Sequence, residues 1–178
     1  MHAQLAIPSG FSASAPSDTH HKIPLTEFLA SKPLSIITVD DDDFDRRLIA
    51  DCLGKHGSVT QVRSFTSGQE ALRALFTDSQ TPDLILLDIS MPGMDGFEVL
   101  GRMGNVINDH QIPVVMVSSS CRGADIELAL ETLAAAYLVK PSSLSKLKGA
   151  LDQVVTAVAQ GRPLPSIING SEKAKPLL

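Results

Sequence analysis

Four consecutive apolar residues, Leu84–Leu87, are followed at once by an aspartate, Asp88. Side chains of a strand alternate between its two faces, so a strand that is apolar at every position is buried on both. A run this short with no polar face belongs in the middle of a parallel sheet, with helices covering each side. The rest of the chain has to supply those helices and the neighbouring strands.

It does so in alternation. Ser35–Val39 (SIITV) is a short β-rich run ended by Asp40, and Val59–Phe65 (VTQVRSF) is a weaker one. Pro113–Val117 (PVVMV) is again fully apolar, and Tyr137–Val139 (YLV) closes the set at five strands. Between them fall helical stretches. One runs from Phe44 to Leu53, stopped by Gly54 and Gly57. A second opens at Ser67, with Glu70 completing a capping box and Leu72 and Leu75 on its apolar side. The loop ISMPGMDG leads to a third at Gly96–Met103, in which Asp95-Gly96 reads as turn chemistry and helix start. A fourth lies near Asp125–Leu133. The fifth, Ser143–Ala159, carries Leu144, Leu147, Leu151, Val154, Val155 and Val158 as one core-facing stripe. Five strands alternating with five helices define an α/β domain with a doubly wound parallel sheet.

This domain is expected over residues 34–160. Residues 1–33 read as a flexible extension, with one short helical stretch at Pro24–Ala30 that puts Leu25, Phe28 and Leu29 on one side. His20 and His21 read there as a solvated pair rather than metal ligands. Residues 161–178 read as a tail. No apolar run approaches the roughly 20 residues of a membrane helix. The N-terminus has no basic start followed by an apolar stretch, so the expected location is cytoplasmic, with Cys52 and Cys121 as free thiols. A net charge of −5 argues against general nucleic-acid binding.

Open parallel sheets bind ligands at the carboxyl ends of their strands, where strand order reverses. Strand one ends in Asp40–Asp43, strand three in Asp88, strand four in Ser118–Ser120, and strand five in Lys140-Pro141. Carboxylates from strands one and three would crowd and repel, which raises carboxylate pKa values. A hard divalent cation relieves this, and Mg2+ favours one or two carboxylates plus other oxygens. With Lys140 as a second positive charge, Asp88 becomes the nucleophile for a phosphoryl group, forming an acyl phosphate. Asp42, Asp43 and Asp45 read instead as a solvated helix start favoured by the helix dipole.

These segments, VDDD (Val39–Asp42), LLDISMPGMDG (Leu87–Gly96), PVVMVS (Pro113–Ser118) and YLVKP (Tyr137–Pro141), resemble the receiver domain of bacterial response regulators, the family of the chemotaxis response regulator. More loosely, the acid-rich start and PVVMVSSS look similar to stand-alone regulators that serve phytochrome-type kinases. The resemblance implies a flavodoxin-like sheet of order 2-1-3-4-5. It implies Mg2+ bound directly by Asp41, by Asp40 often through water, by the phosphoacceptor Asp88 and by the backbone carbonyl of Ser90. Ser118 would hydrogen-bond the phosphoryl group, Lys140 would pair with it, and Tyr137 would be the switch aromatic. The Lys140–Pro141 bond is often cis in that family. Leu133 stands where glycine is usual, Ser118 where threonine is commoner, and Ser142 where an aromatic is frequent.

The implied partners are a sensor histidine kinase or a histidine phosphotransfer protein upstream. Downstream, a protein target or a second copy of the chain would bind the face formed by the fourth helix, the fifth strand and the fifth helix. Ser90 and Ser120 are expected to influence phosphoryl lifetime. A flavin carrier is excluded, because four aspartates after strand one repel a phosphate. A phosphatase of the aspartate-nucleophile type usually has a second acid two residues on, where this chain has Ser90. The alternative to the phosphoacceptor reading is a receiver fold used only for binding or dimerisation.

Overall fold

The computed structural model describes residues 32–169. The expected helix at Pro24–Ala30 and the His20–His21 pair lie outside the described residues. The elements are β1 (Leu34–Val39), α1 (Asp43–Leu53), β2 (Val59–Phe65), α2 (Gly68–Thr77), β3 (Leu84–Asp88), α3 (Gly96–Arg102), α4 (Gly104–His110), β4 (Val114–Ser118), α5 (Gly123–Glu131), β5 (Ala136–Val139), α6 (Leu144–Ala159) and β6 (Ile167–Ile168).

All six strands are parallel, in the order β2-β1-β3-β4-β5-β6. The flavodoxin-like order is therefore present, with one strand appended. β3 and β4 are buried at every residue, as their unbroken apolar runs require. Because alternate residues point oppositely, the sheet has two cores. Ile36, Leu84, Leu86, Val115, Val117 and Leu138 pack under α1 and α6. Ile37, Val39, Ile85, Leu87, Val114 and Met116 pack under α2, α3 and α4, where Tyr137 joins them.

Local chemistry sets the helix starts. The Asp42 carboxylate accepts from the backbone amides of Phe44 and Asp45, capping α1. Ser67 Oγ accepts from Glu70 N, while Glu70 reaches back to Thr66 N rather than to Ser67, so the box closes one residue further out. Asp95 caps α3 through Glu98 N. Gly96 is forced by proximity: a Cβ there would lie 2.3 Å from the Asp88 carbonyl oxygen. Gly93 precedes it with φ +81°, a left-handed conformation that glycine adopts without strain.

Several expectations need correction. The stretch after Met103 forms a further helix, α4, so six helices are present among the described residues. Its sequence, GNVINDH, has weak helix formers and little apolar periodicity, yet Ile107 is buried and anchors it. The supposed tail at 161–178 contributes β6: Ile167 and Ile168 extend the sheet beside Tyr137 and Leu138. A two-residue strand held by edge pairing leaves too short a pattern to read. Leu133 does not adopt a positive φ; Gln111, at φ 54°, is the one described non-glycine residue that does. The Lys140–Pro141 bond is trans.

Candidate phosphoacceptor site

The sheet reverses direction of growth between β1 and β3, since β2 lies on one side of β1 and β3, β4 and β5 on the other. The ends of β1 and β3 are in register, Val39 opposite Leu87, so Asp40 and Asp88 emerge side by side. Both are buried, at 3% and 5% exposure, while Asp41 next to them is exposed. Carboxylate oxygens of Asp40, Asp41 and Asp88 all lie within 4.8 Å of one another.

Lys140 enters from the end of β5, held there by its backbone N–H, which donates a hydrogen bond to the Ser118 carbonyl (2.7 Å). Its Nζ lies 2.8 Å from each of Asp40 Oδ2, Asp45 Oδ2 and Asp88 Oδ1. The remaining oxygens are oriented by backbone: Asp42 N donates to Asp40 Oδ1 (2.9 Å) and Ser90 N to Asp88 Oδ2 (2.7 Å). Arg46 Nη1 donates to the Asp40 carbonyl (2.8 Å), tying α1 to the strand end.

Three carboxylates thus surround one ammonium, and the Asp41 carboxylate stands beside two of them. Burial lifts the Asp40 carboxyl above the usual carboxylate range, with Asp88 pushing the same way; the Lys140 contact only partly offsets this. Burial alone would favour neutral Lys140. Its hydrogen bonds to Asp40, Asp45 and Asp88 outweigh that and raise it above an ordinary lysine, so it is fully charged. Burial is thus the main cause of the Asp40 shift and contact with three carboxylates the cause of the Lys140 shift, in a pocket that holds more carboxylate than ammonium. A cluster of hard oxygen donors with that excess matches the requirements of a small divalent cation.

Ser118, buried at the end of β4, lies one residue past the partner of Asp88 in the sheet, Val117. Its Oγ accepts from Ser120 N (3.1 Å). Ser120 also receives the Tyr137 hydroxyl on its carbonyl (3.0 Å) and donates its own Oγ to Asp125 (2.5 Å). Arg122 grips the same Asp125 with Nε (3.0 Å) and Nη2 (3.1 Å). The β4–α5 loop is thereby linked to Ser118 on one side and Tyr137 on the other.

The expected residues Asp40, Asp41, Asp88, Ser90, Ser118 and Lys140 therefore gather at one edge. Tyr137 is near by, fully buried, with its hydroxyl on a backbone carbonyl rather than in water. Asp45 departs from its expected role. It does not merely start a helix in solvent; it is an ion-pair partner of Lys140. The signal available was its place in the first turn of α1, which directs it back over the end of β1.

A parallel sheet of this order, with acids at its switch point and a lysine from β5 among them, is the architecture of a response regulator receiver. The model of the response regulator receiver domain matches residues 36–152, and the chain belongs to that family. It is 36% identical over 113 residues to a protein-glutamate methylesterase/protein-glutamine glutaminase of Geobacillus kaustophilus, covering 62% of this chain and 31% of that protein. Over 107 residues it is 35% identical to the transcriptional regulatory protein AfsQ1 of Streptomyces coelicolor, covering 60% and 44%. The chain thus spans less than half the length of these relatives. Among solved structures it is similar to the phosphorylated cyanobacterial phytochrome response regulator RcpA, with TM-score 0.65, 31% identity, and 75% and 99% of the two chains covered. The Mn(2+)-bound response regulator Rcp1 gives TM-score 0.64 and 27% identity over 75% and 99%.

Proposed function

We propose that the chain accepts a phosphoryl group on Asp88 from a phosphohistidine of a sensor histidine kinase or histidine phosphotransfer protein, in a Mg2+-dependent reaction. The observation that carries this reading is Lys140 Nζ at 2.8 Å from both Asp40 and Asp88, inside a cluster with excess carboxylate. The residues that would hold the ion are Asp41, Asp88, the Ser90 carbonyl and, through water, Asp40. When bound, the ion offsets the carboxylate charge and that of the incoming phosphoryl oxygens.

The chain's own groups account for the rest. An Asp88 carboxylate oxygen attacks phosphorus, the P–N bond breaks, and its electron pair leaves with the imidazole, which regains its proton from solvent. Ser90 N–H and the Lys140 ammonium fix the carboxylate for that attack. Lys140 can then transfer its contact to a phosphoryl oxygen, and the Ser118 hydroxyl can donate to another. Hydrolysis of the acyl phosphate returns the site, so the chain acts as a self-phosphorylating signalling protein rather than an enzyme on a separate substrate.

Phosphorylation would draw Ser118 toward Asp88. Since Ser120 N–H rests on Ser118 Oγ and the Tyr137 hydroxyl on the Ser120 carbonyl, the loop and Tyr137 move with it. The surface next to them, formed by α5, β5 and α6, exposes Leu128 and Leu130 of α5, which suits a downstream protein or a second copy. Backbone NMR of the full chain with Mg2+, before and after beryllofluoride, tests both steps. Shifts at the strand ends that extend to α5 and β5 are expected. No change with beryllofluoride would favour a binding module independent of phosphorylation.

A further inference from the structure

At the opposite end of the sheet from Asp88 lies a groove of about 620 Å³. Its floor is apolar, with Leu34, Ile112, Pro113, Val158 and Leu164 from the strand starts, the end of α6 and the segment that follows. Lys32, His110 and Arg162 stand on its rim. We propose that this groove is the docking site of residues 24–30 of the same chain, PLTEFLA, which seat Leu25, Phe28 and Leu29 on the apolar floor.

Three observations choose this occupant. The first is where the chain enters. Lys32 lines the groove, with its amide bonded to the Ala159 carbonyl (3.0 Å) and its Nζ 2.5 Å from Asp83. Ala30 is two residues from that anchor, and Phe28 is four, a reach of about 14 Å even when extended. A tether this short holds the segment at millimolar effective concentration, which a free ligand would have to exceed.

The second is the pattern. Leu25, Phe28 and Leu29 stand at i, i+3 and i+4, the spacing of one helix face. A seven-residue helix is marginal alone in water, so such a stripe forms only against a surface that buries it. The third is charge. Glu27 is the one acid between Asp18 and Lys32. Arg162 and His110 on the rim have no acidic partner among the described residues, whereas Asp83 is already paired with Lys32.

The chain has no tryptophan, so Phe28→Trp in the full chain places a single reporter on the proposed contact. Its emission is expected to be blue-shifted, as for a buried indole, and unchanged on dilution. Arg162→Glu, an exposed position outside the core, should shift it to that of a solvated indole, and adding Glu27→Arg should restore it. Solvated emission from the single-tryptophan chain would overturn the proposal. So would a blue shift that fades on dilution, which would give the groove to a second copy. A blue shift indifferent to Arg162→Glu would place the segment elsewhere and would overturn it too.

Discussion

Lys140 is the residue on which the site turns, because its ammonium contacts three carboxylates, those of Asp40, Asp45 and Asp88. Lys140→Ala leaves Asp40 and Asp88 buried without it, and removing one partner of a buried pair costs about 3 kcal/mol. Urea unfolding without divalent cation should show that loss. Acetyl-phosphate labelling of the same variant should slow by about a hundredfold, the usual effect of removing one charge-stabilising donor. Asp45→Asn should behave differently. Asp45 is a third exposed, and Lys140 keeps Asp40 and Asp88, so the loss should stay under about 1 kcal/mol. His56 has a separate effect. Burial lowers its pKa, and its Nδ1 accepts from Ser58 N. The folded state therefore favours neutral His56. This contribution is fully present above the unfolded value near about 6.5 and is lost as pH falls through it toward the lower folded value. The drop in stability on acidification through that range should be smaller in His56→Gln, as read by thermal unfolding at successive pH values.

At the scale of elements, the start of α3 is positioned against the end of β3 by Gly96, whose missing Cβ makes room for the Asp88 carbonyl. Gly96→Ala should destabilise the protein by more than about 2 kcal/mol, since neither backbone can yield easily. Gly101, within the same helix, meets nothing within 4 Å, and Gly101→Ala should stabilise by up to about 1 kcal/mol. Chemical denaturation of the pair separates close approach from helix propensity. These elements were unequally legible. β3 and β4 are unmistakable because two-sided burial forbids polar residues. α1, α2 and α3 carry caps that can be read as letters: Asp42, Ser67 and Asp95. α4 has none, since Met103 precedes it with no side-chain cap, and it exists because tertiary packing buries Ile107. β6 depends on pairing with β5, which no local pattern of two isoleucines announces. For the site, charge and strand position pointed to Asp40, Asp88 and Lys140. The role of Asp45 and the burial of the Tyr137 hydroxyl depend on how α1 and the β4–α5 loop pack, and that is decided by contacts distant in sequence.

On the scale of the whole molecule, folding concentrates negative charge at one end of the sheet, and a bound cation would relieve it. Any ligand that binds only the folded state raises its stability by linkage, by about 2.7 kcal/mol at a hundred times its Kd. Mg2+ should therefore raise the melting temperature of the wild-type chain and leave Asp41→Ala/Asp88→Ala nearly unchanged. The most direct measurement of the phosphoacceptor chemistry is intact mass after incubation with acetyl phosphate, with Mg2+ or with a chelator, for the wild type and Asp88→Asn. A gain of one phosphoryl group by the wild type with Mg2+, and by neither the chelated sample nor Asp88→Asn, is the predicted result. Equal labelling of Asp88→Asn, or no labelling of a wild type that binds Mg2+, would contradict it.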